Sequence, residues 1–317
     1  KEFVTIQDEF RLVKDIDSSL VRFCLGVTLE SEFDRIMRAD LAAAAIEETY
    51  RDHFIHSFQD FLTGAIVIDK FYEEFSKLYS ASLNKELTTS LECAWLITTL
   101  FHDRFKPLLL LSRFLEQDIR YMLEDDPICV IFADNLGSIY DHLKEGKTLE
   151  SWLPPKVQPE TSALAKILIA HSKNHNHGVL GAFSLLKFDL QDKIDRAMIY
   201  ASTLAIALHD REPRDDLLRQ GIFPVKMTRF PLVGLLLYCN AVQEWGRSYS
   251  SEDELVDVIF GTNEVMFHVH FDSAASHSSA TQEFASIDKC IESSPVKLGL
   301  ASSSFIGRHK TVLTPSS

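Results

Sequence analysis

The chain has 317 residues, 46% hydrophobic and 25% charged, with 32 Lys and Arg against 46 Asp and Glu for a net charge of −14. That length and apolar content suffice for a sizeable core, in one large domain or two smaller ones, and exclude a disordered or collagen-like chain. The acidic balance argues against a nucleic-acid polymer as the main partner, because phosphate binding needs a cationic surface, and leaves small phosphorylated ligands open.

Cys24, Cys93, Cys129, Cys239 and Cys290 are odd in number and widely spaced, with no C-x-x-C pair. They suggest neither a disulfide framework nor a thiolate zinc site, and they suit a reducing compartment. Apolar runs such as Pro231–Tyr238 and Ala201–Leu208 fall well short of the ~20 residues of a membrane span. No basic-then-apolar leader opens the chain. A cytoplasmic location is expected, and the start at Lys1 rather than Met suggests an excised or processed piece.

Only Gly26 and Gly64 interrupt the residues before Pro107, and breakers this rare favour long helices. Ser31 and Asp34 resemble a helix start, with the pattern running on to about Tyr79. A second helix from about Thr88 sets Leu91, Trp95, Thr98 and His102 on one face. Pro107 fits a helix end shortly after His102-Asp103. Residues 108–150 read as helical again, and a loop covers Leu153 to Thr161. Helices follow at about Ser162–His171, Gly178–Leu186 and Gln191–Asp210. A charged, proline-bearing loop is expected over Arg211–Phe230, then a last long helix from Pro231 to about Trp245.

Past Ser248 the pattern changes. Val265, Phe267, Val269 and Phe271 alternate with Met266, His268 and His270, the period of a half-buried strand. A helix at Ser279–Glu292 and a strand at Val296–Ala301 would follow, then a loose Ser-rich tail beyond Ile306. The fold class is therefore mainly α: a helical bundle over residues 1–250, with a small C-terminal α/β appendage over 251–317.

The chain's 12 histidines hold the chemical signal. His53 and His56 lie three apart on a helix and share a face, either as ligands or as a surface or capping pair. His102-Asp103 and His209-Asp210 each close an apolar helix, where a structural core histidine is the plainer reading. His177 opens a helix behind Asn174 and Asn176, residues suited to capping. Taken together, imidazoles and carboxylates on several elements form a ligand mix for a divalent metal such as Mn, Fe, Zn or Mg.

Several stretches carry a resemblance. His56-Ser57-Phe58 through Gly64 looks like a first-helix motif in which His precedes Ser and an apolar segment. Phe101-His102-Asp103-Arg104-Phe105-Lys106-Pro107 is similar to an H-D-x-x-K-P segment. His177-Gly178-Val179-Leu180-Gly181-Ala182 fits H-x-x-x-G-A, Ile206 to Asp210 stands where a His-His pair would, and Phe230-Pro231 to Asn240 resembles a closing helix. In this order the motifs resemble the HD-domain superfamily of metal-dependent phosphohydrolases, closest to its HD-GYP branch, over about residues 50–245.

The resemblance implies an HD-like helical bundle with one or two divalent ions. His56, His102 and Asp103 would be ligands of the first, with Asn240 as a fourth. His177 and His209, with Asp210, would hold the second. Asp103 would bridge the ions, Lys106 would neutralise phosphoryl oxygens, and His53 would relay protons or orient a ligand. The implied partner is a small phosphorylated metabolite, a nucleotide or cyclic nucleotide above all. A homo-oligomer or attachment to further domains remains open.

Asn240 stands where the family has an Asp, Asp210 replaces the second His of the pair, and Gly221-Ile222-Phe223-Pro224 is only a faint echo of GYP. Glu244, one turn past Asn240, offers compensation. Lys173, Arg211, Arg214 and Lys226 are placed either to meet phosphates or as solvated charges. The Asn240 departure keeps open a non-enzymatic alternative, a decayed HD-fold ligand sensor or protein-interaction module.

Overall fold

A computed structural model of the chain describes residues 53–83, 91–107, 176–187, 196–221, 225–226, 230–245, 254–271, 274–292 and 296–301, together with Met37, Arg38, Asp40, Ala43, Leu109, Ala170 and His171. The expected helix start at Ser31, the stretch 108–150, the loop from Leu153 to Thr161, Lys173 and the Ser-rich tail lie outside these residues. The described elements are α1 (His53–Lys70), α2 (Tyr72–Leu83), α3 (Leu91–His102), α4 (His177–Lys187), α5 (Arg196–Leu208), α6 (Arg211–Arg219), β1 (Val225–Lys226), α7 (Pro231–Trp245), β2 (Glu254–Phe260), β3 (Glu264–His270), α8 (Ala274–Cys290), β4 (Ile291–Glu292) and β5 (Lys297–Ala301).

The protein is mainly helical, with a small C-terminal sheet of three strands and a helix. α3 is buried on every side from Ala94 to His102, as expected of a helix whose apolar residues are not confined to one stripe. α1, α4 and α5 pack around it, and α7 packs on α1 and α5. Buried hydroxyls within α3 and α5 bond carbonyls one turn back, as Thr98 does to Ala94 O at 2.8 Å and Thr203 to Ile199 O at 2.7 Å. These helices therefore bury polar side chains without orphaning them. α1 meets α3 at Gly64, where an added Cβ would lie 2.2 Å from the Trp95 ring. The indole in turn donates to Phe61 O at 2.9 Å.

Three expectations need correcting. The helix thought to run unbroken to Tyr79 is interrupted at Phe71. The hydrogen-bond ladder still crosses that residue, from Phe71 N to Val67 O and from Phe75 N to Phe71 O. Phe71 at the break and Phe75 and Tyr79 beyond it, four apart, are all buried. Pro107 lies in a further short helical stretch rather than at a helix end, because Asp103 and Arg104 already make the turn after α3.

The Arg211–Phe230 loop begins instead as helix α6. Pro213 falls in its first turn, where no backbone donor is needed. Arg211 pairs with Asp215 one turn on, and Pro213, Arg214 and Leu217 bury one face.

In the C-terminal part, β2 and β3 are antiparallel, and β3 and β5 parallel, giving the order β2-β3-β5. Val265, Phe267 and Val269 of β3 are buried, as are Ala280, Phe284 and Ile287 of α8, which carries the chain between the two parallel strands. β2 escaped the sequence reading because its register shifts between Leu255 and Asp257, and such a bulge breaks the alternation that marks a strand. α8 packs on α7. Tyr238 donates to Asp288 Oδ1 at 2.5 Å, and Arg214 reaches Glu283 at 2.8 Å. Among the described residues no helix is long and apolar enough to cross a membrane.

Candidate metal centre

α1 carries its chemistry on the face that meets α3. His53, His56 and Asp60 follow one another at i, i+3 and i+7, with Gly64 and Val67 continuing the same stripe. His56 and Asp60 are fully buried. An imidazole and a carboxylate on the core face of a helix are costly unless partnered. Partners for this stripe must therefore come from the elements packed against α1.

α3 and α5 end alike. Each is apolar along its length and closes in His-Asp. His102 Nδ1 donates to Thr99 O at 2.7 Å, and His209 Nδ1 to Ile206 O at 2.6 Å. A ring bonded through Nδ1–H presents its other nitrogen, Nε2, as a lone pair when neutral, which is the form that ligates metal. Asn176 caps α4, its Oδ1 accepting from Val179 N at 3.0 Å. The cap begins the helix with His177 beside the end of α5.

α4 can lie this close because it carries two glycines on that side. A Cβ at Gly178 would come within 2.7 Å of the His209 ring, and one at Gly181 within 2.6 Å of Phe101 O.

These elements bring five predicted residues together in two triads, His56/His102/Asp103 and Asp103/His177/His209, each with ligand atoms within 4.8 Å of one another. Asp103 belongs to both. In the first half, His56 Nε2 lies 2.8 Å from Asn240 Oδ1, 3.3 Å from Asp60 Oδ2 and 3.8 Å from Asp103 Oδ2. His102 Nε2 lies 3.4 Å from Asp60 Oδ2 and 3.8 Å from Asp103 Oδ2. In the second half, His177 Nε2 and His209 Nε2 are 3.1 Å apart and lie 3.2 and 3.3 Å from Asp103 Oδ1.

Ligand bonds of 2.0–2.2 Å in tetrahedral or octahedral geometry place neighbouring donors roughly 2.8–3.6 Å apart. The observed spacings fall in or near that range. The buried His102 Nε2 has no hydrogen-bond partner. A buried lone pair converged with carboxylate oxygens in this way fits a cation. The buried His/Asp cluster could hold a divalent metal, and the helical arrangement around it is loosely compatible with an HD-like bundle.

The two halves differ in electrostatics. Burial drives the pKa of His102 down to about 3 against the pull of Asp103, so this ring stays neutral. Burial also acts on His177, but the Asp103 and Asp210 carboxylates outweigh it and raise its pKa to about 9. Asp103 sits just past the C-terminus of α3, where the helix dipole disfavours an anion. Burial pushes its pKa up as well, yet Lys106 and the surrounding histidines hold it well below the usual range. Lys106 Nζ stands 3.2 Å from Asp103 Oδ2, and His53 Nδ1 2.8 Å from the same oxygen. Cys239 beside Asn240 remains a thiol, because burial and then the charge of Asp60 raise its pKa.

Other predicted residues are placed differently. Asp210 is set behind His177 rather than toward the converged nitrogens: its Oδ2 is 2.9 Å from His177 Nδ1. It also occupies the N-cap position of α6 without a side-chain capping bond. Arg214 is no phosphate contact, since it is buried and paired with Glu283. Arg211 is exposed beside Asp215. Glu244 lies in α7 and Lys226 in β1. Asp60, within the first-helix motif, has no role in the sequence reading; its closeness to His56 and His102 appears only once α3 packs against α1.

Comparison with protein-family models, with curated proteins and with solved structures finds no match to this chain.

Proposed function

We propose that this chain is an HD-type metal-dependent phosphohydrolase acting on a small phosphorylated metabolite, with a nucleotide or cyclic nucleotide as the substrate class. The observation that carries the reading is the convergence of four imidazoles, His56, His102, His177 and His209, on the buried carboxylate of Asp103. A shared Asp flanked by two imidazole pairs has the composition of a site for one or two Mn, Fe, Zn or Mg ions. His56, His102, Asp103 and Asn240 would hold the first, and His177, His209 and Asp103 the second. A divalent metal held there would supply Lewis-acid charge and would lower the pKa of nearby water toward neutrality, the chemistry that phosphoester hydrolysis needs.

The remaining roles belong to side chains. Asp210 fixes the His177 ring by taking its Nδ1 proton in a hydrogen bond, which turns Nε2 toward Asp103. His53 Nδ1 donates to Asp103 Oδ2, and its partly exposed ring can pass a proton outward. The Lys106 ammonium, about one-quarter exposed and paired with Asp103 Oδ2 at 3.2 Å, would turn from that carboxylate to a phosphoryl oxygen. Lys106, His53, His177 and Asp210 are more exposed than His56, His102 and Asp103 beneath them, and a small anion would approach from that side. The overall charge of −14 favours a small substrate over a polymer.

Elemental analysis of the purified protein reconstituted with Mn(II) or Fe(II) tests this directly. Stoichiometric metal, lost in a His102→Ala, Asp103→Ala variant together with at least about 1,000-fold of the rate on a generic phosphodiester, is the expected result. A wild-type chain that stays metal-free after reconstitution refutes it. Stoichiometric metal without turnover across a nucleotide panel would favour the sensor reading, which Asn240 keeps in play.

A further inference from the structure

The position four residues after His56 carries a carboxylate that the motif resemblance does not assign. Asp60 is fully buried, on the α1 face that meets α3. Its Oδ2 stands between two ring nitrogens, 3.3 Å from His56 Nε2 and 3.4 Å from His102 Nε2. The His102 ring is bonded through Nδ1 to Thr99 O, so its Nε2 faces the Asp60 oxygen with a lone pair rather than a proton.

An anionic oxygen against a lone pair at that distance is repulsive in a buried site. A cation between them turns the same geometry attractive. The two edges, 3.3 and 3.4 Å, match the spacing of donors around one divalent ion, roughly 2.8–3.6 Å. They match it better than the 3.8 Å separations from either ring to Asp103 Oδ2.

We propose that Asp60 is a ligand of the ion held by His56 and His102, supplying from α1 the negative charge that Asn240 cannot supply from α7. This inference rests on the metal-centre reading above and deepens it. The amide of Asn240 keeps a neutral oxygen 2.8 Å from His56 Nε2, while the formal charge of the ligand set has moved to another helix. Asn240 then marks a rearranged site rather than a lost one.

The test compares wild type, Asp60→Asn and the double variant Asp60→Asn, Asn240→Asp by Mn(II) stoichiometry, Mn(II) affinity and melting temperature with and without Mn(II). Since outer-shell partners of a metal are worth 10–100-fold in affinity, loss of a ligand should cost about 100-fold or more. Asp60→Asn is expected to hold one equivalent of Mn(II) fewer than wild type and to show a smaller Mn(II)-induced rise in melting temperature. Its metal-free form should melt at or above the wild-type temperature, because a buried charge has been neutralised. The double variant should recover the lost equivalent.

Wild-type stoichiometry and affinity in Asp60→Asn overturn the proposal while leaving the metal centre intact. An unfolded metal-free Asp60→Asn also overturns it, since Asp60 would then be a structural residue, as does a double variant that recovers nothing. A wild-type chain that binds no Mn(II) overturns the metal-centre reading itself, a separate outcome.

Discussion

The two halves of the centre share Asp103 and are built from the same parts, yet they solve the problem of buried lone pairs differently. Around His56 and His102, burial keeps the His102 ring neutral, and the carboxylates of Asp60 and Asp103 stand 3.3–3.8 Å from the two Nε2 atoms. Around His177 and His209, two carboxylates, Asp103 and Asp210, hold a proton on His177 with its pKa raised to about 9. The first half could take a cation directly. In the second, a metal would first have to displace that proton. A deep carboxylate prepares a site for an ion, whereas a carboxylate behind an imidazole prepares it for a proton as well.

The sharpest way to break this comparison is to remove one ring from each half. His102→Ala should abolish metal in the first half, and His177→Ala in the second, each costing about 100-fold or more in activity. Elemental analysis should find one equivalent lost in each variant. Loss of both ions from either change would mean that the halves form a single site.

A smaller effect follows from protons. His102, with its folded pKa lowered to about 3, binds its proton only in the unfolded chain between pH 3 and 6.5, so stability of the metal-free protein falls as pH drops through that window. His177, raised from 6.5 to about 9, binds its proton more tightly in the folded state. Its contribution is fully present below pH 6.5 and is lost as pH rises through 9, by roughly 3 kcal/mol at most. Urea melts of the metal-free protein should show a maximum near pH 6.5. Saturating metal should remove the alkaline decline, because the ion replaces that proton. An alkaline decline unchanged by metal would place the proton elsewhere.

Gly181→Ala offers the mildest perturbation. The added methyl must push α4 off Phe101 O. The cost is about 1–3 kcal/mol of overpacking, offset in part by the ~1 kcal/mol gain of Ala over Gly in a helix. The second half should lose metal affinity about tenfold while the first keeps its own, read by Mn(II) titration. Equal weakening of both halves would show that α4 positions Asp103 as well as His177.

Much of this was legible in the sequence because it follows chemistry local to each helix. Apolar runs closing in His-Asp set His102 and His209 at helix ends, and the H-x-x-x-G-A spacing singled out His177. α7 opened at Pro231, where a first-turn proline needs no donor. What was not legible came from contacts between distant segments. Asp60 differs in meaning from any buried-face polar residue only once α3 is placed against it. Asp210 reads as a replacement ligand until α4 sets His177 Nδ1 in front of it. Arg214 reads as a phosphate contact until α8 brings Glu283 to it. The bulge in β2 conceals its alternation, and the partner that defines its register, β3, comes later in the chain.

The bonds from His102 and His209 to carbonyls one turn back tie each ring to the final turn of its own helix. Helix ends ordinarily fray, opening their last amides to solvent at almost no free-energy cost. Here fraying would swing a ring nitrogen out of the centre, so the last turns of α3 and α5 must stay wound for the cluster to exist. Occupancy of the centre is thereby transmitted into backbone dynamics: a bound cation would lock two helix ends, and backbone amides near residues 102 and 209 would exchange their hydrogens more slowly. An ion with no colour and no unpaired electron would still leave a record in the exchange of the chain around it.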